Sequence, residues 1–183
     1  MSTRPVLPAS DFVAALQRAG ITHVIGIPDN RSAPVFDLLA VHRTIHLVTV
    51  SREGEAFAIA AGVWLGRGSP MVVVQNTGLL ESGDSLRGTA SRMGVPLPIT
   101  ITARGYEKMN RAGVSPTPMP ERELVTRADV DSVALHTEPT LEAWGIPFER
   151  AEFEVGFEML DAVIAKARAE ERPVALILAQ RLA

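Results

Sequence analysis

Short apolar runs rich in β-branched residues alternate along the chain with longer segments of helical pattern. Five of the runs are predicted strands, namely THVIGI, TIHLVTV, SPMVVVQN, VPLPITITA and RPVALILA, and IPFE is a sixth candidate. The continuous valines of SPMVVVQN are typical of a parallel strand that is covered on both faces. Strands that alternate with helices predict an α/β fold: one three-layer α/β/α domain over residues 1–183, with a mostly parallel sheet of about six strands.

The predicted helices have recognisable ends. SDFVAALQRAG begins with two potential N-caps, Ser10 and Asp11, and stops at Gly20. We expect Pro139 to break the helical segment ADVDSVALHTEPTLEAWGI. Residues 104–126 hold three of the 13 prolines and little periodicity, so they are predicted to be a loop that is functional or packed against a partner. The other predicted helices are RSAPVFDLLA, EGEAFAIAAGVWLG, the interrupted LLESGDSLRGTASRMG and the long FEVGFEMLDAVIAKARAEE.

Composition narrows the function classes. The chain is 46% hydrophobic with a net charge of -3, and no cluster of basic and aromatic residues suggests a nucleic-acid partner. The absence of cysteine excludes disulfides and thiol catalysis and fits a reducing cytoplasm, which is the predicted location. The first residues lack the apolar run of a signal peptide, and no apolar stretch approaches the ~20 residues of a membrane span.

Polar loops follow the predicted strands. They read IPDNRS, SREGE, QNTG and ARGY, each directly after an apolar run. Because ligands of open parallel sheets bind at the carboxyl ends of the strands, these loops predict the binding edge. The sequence contains no GxxxxGK[ST], GxGxxG or GxSxG motif, and its four histidines lack metal-ligand spacing.

Several segments resemble one family. SREGEAFAIAAGVWLG is similar to the pyrimidine-binding signature of thiamine diphosphate enzymes, in which a glutamate precedes a glycine by nine positions, here Glu53 and Gly62. THVIGIPDNRSAPVFDLL resembles the first strand, loop and helix of the same domain. QNTGL and TARG are similar to segments of the small subunit of sulfopyruvate decarboxylase and of phosphonopyruvate decarboxylase. Gly83, Asp84 and Ser85, with Asn110, imitate that family's magnesium motif. The motif needs its Gly-Asp pair at the end of a strand, whereas Gly83 and Asp84 lie in a predicted helix, so these residues are not interpreted as a metal site.

The resemblance implies a catalytic role for Glu53. The family glutamate hydrogen-bonds N1′ of the cofactor's aminopyrimidine and promotes the tautomer that activates the thiazolium for attack on a 2-oxo acid. Glu53 is chosen over Glu55, which lies two residues further along the helix and is expected to complement the helix dipole. We expect burial among Ala56, Phe57 and Ala60 to favour a protonated Glu53 over the opposing effect of the helix N-terminus.

The other loops supply further candidates. By the resemblance, a cofactor-binding set comprises Glu53, Pro28, Gln75, Asn76, Thr77 and Gly78, and a substrate-binding set comprises Asp29, Asn30, Arg31 and Arg104. Related decarboxylases carry an aspartate where Asn30 stands, so the proton-transfer role of that loop is open. A plain Pro-Asp-Asn turn, a plain turn after the third strand and ordinary surface arginines are the alternatives.

Such an enzyme also needs a module that binds the diphosphate through Mg²⁺, and no second module is evident in the sequence. The resemblance therefore implies a separate beta subunit that holds Mg²⁺ and the diphosphate, a hetero-oligomer, and a subunit that is active only with its partner. The expected reaction is decarboxylation of an anionic 2-oxo acid similar to sulfopyruvate or phosphonopyruvate. A carboligase subunit, a non-catalytic regulatory or assembly subunit, and a flavodoxin-like binding protein are the alternatives.

Overall fold

The elements follow the predicted alternation of strand and helix. The computed structural model describes residues 6–117, 119–151 and 157–183. The strands are β1 Val6–Leu7, β2 His23–Gly26, β3 His46–Thr49, β4 Pro70–Gln75, β5 Pro98–Thr102, β6 Phe148–Ala151, β7 Val174–Leu178 and β8 Arg181–Leu182. The helices are α1 Ala9–Arg18, α2 Ala33–Ala40, α3 Glu53–Leu65, α4 Asn76–Glu81, α5 Gly83–Ser85, α6 Tyr106–Arg111, α7 Arg122–Thr126, α8 Ser132–Ala143 and α9 Glu158–Glu170, with a π-helical segment at Leu86–Ser91.

Six strands form one sheet in the order β3-β2-β4-β5-β7-β6, and every pairing in it is parallel. The prediction of a parallel α/β sheet of about six strands, including the IPFE candidate that became β6, is confirmed. β1 and β8 pair separately as a parallel two-stranded ribbon. Strands of two residues carry no period, so the sequence pattern did not predict this ribbon.

Alternate side chains of the sheet pack into two separate hydrophobic cores, one on each face. Val72 and Val74 face the core beneath α3, α4, α6 and α8, whereas Met71 and Val73 face the core beneath α1, α2 and α9. Phe57 and Phe12, one in each core, are fully buried. Burial of such a side chain contributes about 1.5–3 kcal/mol to stability. The three layers of the prediction are therefore present, with helices covering both faces of the sheet.

Local departures from the predicted boundaries have physical reasons. The N-cap of α1 is Pro8, so Ser10 and Asp11 lie inside its first turn rather than capping it. Gly20 follows the helix with φ at +69°, a left-handed conformation that favours glycine and ends α1 as predicted. α8 runs through Pro139 without a break, contrary to expectation.

The predicted loop at residues 104–126 is partly helical. α6 and α7 lie within it, and the prediction of an unstructured connection was wrong there. Tyr106 and Met109, three positions apart, are buried and hold α6 on the core. That face is too short to give a periodic signal. Pro118 lies outside the described residues, as do residues 152–156, where the predicted long helix was to begin.

None of the helices within the described ranges is both long enough and apolar enough to cross a membrane.

Candidate functional site

The carboxyl edge of the sheet contains a topological switch point between β2 and β4. The chain leaves β2 into α2, which packs on one face, and leaves β4 into α4, which packs on the other. Loops that diverge in this way open a crevice, which is the usual ligand site of open α/β sheets. IPDN is a loop at this edge, as predicted, but QNTG is the last residue of β4 and the first turn of α4 rather than a loop, because α4 begins directly after the strand.

Glu53 is the first residue of α3, directly after the β3 loop, and its side chain is half-buried. It lies against Gly78 in the first turn of α4: a Cβ at Gly78 would be 2.3 Å from Glu53 Cγ and 2.6 Å from Cδ and Oε1. Only glycine leaves room for the carboxyl in this position. No described residue hydrogen-bonds the Glu53 carboxylate. Ala56, Phe57 and Ala60 are buried as expected, but Glu53 itself keeps an exposed side in the chain alone.

Glu55 points back towards the start of its helix. Its Oε2 accepts hydrogen bonds from the backbone N–H groups of Ser51, at 3.1 Å, and Arg52, at 3.2 Å. This is the glutamate half of a capping box. Glu55 therefore stabilises the start of its own helix, whereas Glu53 lies against α4.

A salt bridge fixes the start of α3 to the end of α4. Arg52 Nη2 lies 2.5 Å from Glu81 Oε1, and the Gly54 N–H donates to Glu81 Oε2 at 3.0 Å. The hydrogen bond from the Arg52 guanidinium lowers the pKa of the Glu81 carboxyl. This salt bridge is a second contact between α3 and α4, on the solvent side, in addition to the contact of Glu53 with Gly78.

The carboxylate of Asp29, which was predicted to bind substrate, accepts hydrogen bonds from other residues of the chain. Its Oδ1 accepts from the backbone N–H of Arg31 at 2.7 Å and from that of Ser32 at 2.8 Å. Its Oδ2 accepts from Gln75 Nε2 at 3.1 Å and from Thr102 Oγ1 at 2.5 Å. The Pro-Asp-Asn turn is therefore an Asx-type turn that is bonded across the crevice to β4 and β5. Pro28 and Asn30 remain exposed at the crevice mouth.

Asn76, predicted to bind cofactor, is fully buried. Its Nδ2 donates to the backbone oxygen of Arg104 at 3.1 Å and to Thr137 Oγ1 at 3.3 Å, while its Oδ1 accepts from the Arg104 N–H at 3.2 Å. Every donor of the amide is used within the chain. Asn76 thus fixes the loop after β5, whereas the neighbouring Thr77 is exposed and donates to Gln75 Oε1 at 3.2 Å.

Both candidate arginines also have partners in the chain. Arg31 Nη1 donates to the Ala179 oxygen at 2.8 Å, beside the end of β7. Arg104 Nη2 lies 3.2 Å from Asp131 Oδ2, but its side chain is 52% exposed. A half-exposed pair of this kind is weak, so the Arg104 guanidinium is the more available of the two cations.

Sequence reasoning missed the residues that organise these loops: Ser32, Thr102, Asp131 and Thr137. Thr102 could have been predicted from its position as the last residue of a strand that ends at the predicted binding edge. Asp131 is the N-cap of α8, so an aspartate directly before a helical pattern was its signal. Ser32 bonds within the β2 loop and Thr137 bonds across two helices, and neither leaves a local pattern. Gly83, by contrast, is explained by packing, because a Cβ there would lie 2.7 Å from the Trp144 ring. Among the described residues, no group of three His, Asp or Glu side chains is arranged to hold a metal ion.

A family model described as thiamine pyrophosphate enzyme, N-terminal TPP binding domain, matches residues 9–118. The chain belongs to this family. Within the matched residues, the Glu53 carboxylate lies against Gly78 and accepts no hydrogen bond from a described residue, which leaves it available to a ligand. The matched residues include Glu53, Gly78 and the loops that hold them.

Two individual proteins illustrate how much of this chain is similar to known members of the thiamine pyrophosphate enzyme family. Phosphonopyruvate decarboxylase of Streptomyces hygroscopicus is 35% identical over 100 residues, which are 55% of this chain and 25% of that protein. Sulfopyruvate decarboxylase subunit alpha of Methanococcus maripaludis is 22% identical over 153 residues, which are 84% of this chain and 90% of that subunit. The chain thus matches a quarter of one relative and most of the other.

Solved structures agree on the fold. The chain superposes on benzoylformate decarboxylase from Polynucleobacter necessarius with a TM-score of 0.61 at 18% identity, over 94% of this chain and 30% of that one. At this identity the likeness establishes the shared architecture of the family's N-terminal domain and no more.

Proposed function

We propose that this chain is the pyrimidine-binding subunit of a thiamine diphosphate-dependent 2-oxo acid decarboxylase. Membership of the thiamine pyrophosphate enzyme family supports the cofactor. The relatives named sulfopyruvate and phosphonopyruvate decarboxylase support the reaction and a substrate that carries a second anionic group. Bound thiamine diphosphate supplies the electron sink for loss of CO₂ from the substrate.

The position of Glu53 is the observation that carries this proposal. Its carboxyl group holds a proton at N1′ of the aminopyrimidine, and Gly78 supplies the wall that keeps the carboxyl at the crevice. A buried carboxyl shares a proton more readily than a solvated one, because low polarity disfavours the charged form. Glu53 is half-buried in the chain alone. Cover from a second subunit completes its desolvation.

A separate beta subunit holds the diphosphate and Mg²⁺. The relative of similar length supports this part, because it is called subunit alpha. The N-terminal domain alone is only a part of the phosphonopyruvate enzyme that it matches. This chain is then inactive by itself and active in a hetero-oligomer.

Arg104 is the side chain of this subunit best placed to meet the anionic end of the substrate. Its guanidinium is half exposed in the loop after β5, whose backbone Asn76 bonds to the start of α4. A guanidinium matches sulfonate or phosphonate oxygens in two-pronged geometry. Asn30, exposed at the end of the β2 loop, faces the same solvent edge. Arg31 is held by the Ala179 carbonyl and acts on the loop rather than on the substrate.

The test is the substitution Glu53→Gln in a complex of this chain with its diphosphate-binding partner. Removing the acidic proton at N1′ is expected to lower the rate of CO₂ release by about 100-fold or more, the usual scale for a lost acid–base group. Glu55→Gln is the matched control, because glutamine still accepts in a capping box. It is expected to retain near-wild-type turnover.

Sulfopyruvate and phosphonopyruvate are the substrates to try first, with chromatographic detection of the products. Full turnover by Glu53→Gln in an intact complex would refute the assigned role. Carbon–carbon ligation in place of CO₂ release would replace the decarboxylase reaction with a carboligase one.

A further inference from the structure

Asp29 joins three strand ends that are far apart in the sequence. It lies 46 residues before Gln75 and 73 residues before Thr102, yet one oxygen, Oδ2, accepts hydrogen bonds from both. The other oxygen is saturated by the turn that follows Asp29. A carboxylate that accepts this many hydrogen bonds has no capacity left for a substrate. Its bonds cross the switch-point crevice and tie the β2 loop to β4 and β5.

The hydrogen bonds continue from Asp29 towards Glu53. Gln75 donates to Asp29 with its amide nitrogen and accepts from Thr77 Oγ1 with its amide oxygen. Gln75 is also the N-cap residue of α4. The residue after Thr77 is Gly78, whose Cα supports the Glu53 side chain. The Gln75 side chain does not cap the backbone of α4. Asp29 is therefore joined to the first turn of α4 through the Gln75 amide and the Thr77 hydroxyl.

We propose that Asp29 is a positioning residue: through Gln75 it fixes the first turn of α4 and hence the Gly78 surface on which Glu53 lies. The importance of Asp29 for the reaction rests on the proposed role of Glu53. The effect of Asp29 on α4 is independent of that role and can be measured in the isolated chain.

The experiment is hydrogen–deuterium exchange of the full chain, read in the peptide that spans Asn76–Ser82. In Asp29→Asn, Oδ1 keeps its turn bonds and an NH₂ group replaces the oxygen that faces Gln75 and Thr102. Gln75 must then turn its amide over to accept from this NH₂ group, and both Gln75 and Thr102 lose their charged acceptor. Exchange of the α4 amides is therefore expected to accelerate about tenfold, the effect of replacing a charge-assisted hydrogen bond by a neutral one. Asp37→Asn, which alters an exposed carboxylate on α2, is the matched control and is expected to leave exchange unchanged.

A compensating change gives a rescue. In the double variant Asp29→Asn/Gln75→Glu, the new carboxylate accepts from the new amide at position 29 and still accepts from Thr77, so exchange is expected to return towards wild type. A purely local role for Asp29 in its own turn leaves α4 protected in the single variant and gives no rescue. Either of those results overturns the proposal.

Thr102→Val provides a second route if Asp29→Asn does not fold. It removes one donor to Oδ2 and nearly preserves side-chain shape, and a smaller acceleration in the α4 peptide is expected. Unchanged exchange in that variant also contradicts the proposal. Because no cofactor or partner is present, these results are independent of the activity of Glu53→Gln.

Discussion

Gly78→Ala tests directly whether the contact between α4 and Glu53 controls the reaction. The added methyl group would lie 2.3 Å from Glu53 Cγ, far inside the distance at which two carbons can approach. Because Cγ and Cδ are both too close, rotation of the carboxyl group alone cannot relieve the clash. The whole side chain must leave its rotamer and move away from the crevice.

The expected change in stability is small. Glu53 is half-buried and free to adopt another rotamer, at a cost of about 0.5–1.5 kcal/mol. Alanine in place of glycine in a helix returns up to about 1 kcal/mol. We therefore expect the free energy of unfolding of Gly78→Ala to stay within about 1 kcal/mol of wild type.

The expected change in activity is large. A reacting group misplaced by about 1 Å costs on the order of 100-fold in rate, and a change of rotamer moves a carboxyl further than that. The assay is CO₂ release by the complex with the diphosphate-binding partner, paired with urea unfolding of the isolated chain. Gly88→Ala is the control, because the nearest atom to a Cβ there is at 3.9 Å.

The reasoning fails if Gly78→Ala turns over at the wild-type rate in a folded complex. Glu53 would then not need its observed position. A large loss of stability would instead show that the first turn of α4 cannot accept the displacement, and the rotamer estimate would be wrong.

The remaining predictions concern a helix surface and the opposite end of the sheet. Gly62 lies exposed within α3 with open space above it, so Gly62→Ala should stabilise the isolated chain by about 0.5–1 kcal/mol in urea unfolding; destabilisation would contradict the open geometry. Burial, and then His46 at a ring distance of 5.0 Å, lower the pKa of His23 below its usual 6.5. The unfolded chain therefore binds more protons, and stability should fall as the pH drops through about 6.5 towards the folded-state pKa. His46→Gln should flatten this dependence in unfolding curves measured across that range, and an unchanged slope would exclude the pair as its cause.

The sheet was predictable because its signal is local. A valine run such as that of β4, bounded by polar loops, indicates a buried parallel strand without knowledge of its neighbours. The position of Glu53 at a strand end and helix start followed from the same pattern. The helices α6 and α7 were not predicted because each is short and a proline-rich segment lies between them. Pro139 was given too much weight as a helix breaker.

The site itself was only partly predictable. The sequence assigns Asp29, Gln75 and Asn76 to the carboxyl edge, but the bonds by which they join separate loops connect residues 28 to 73 positions apart. No local spacing encodes which polar side chain of an edge is bonded to the protein and which is free for a ligand. The contact of Gly78 with Glu53 is of the same kind, since it depends on the packing of two helices that follow different strands.

The order of strands in the sheet has a consequence for biosynthesis. Among the described strands, β6 pairs with β7 alone, and β7 also covers the open side of β5. Until residues 174–178 leave the ribosome, β6 has no partner and the edge of β5 is bare, a state prone to aggregation. A chain cut before Val174 would lose two strands of the sheet rather than one.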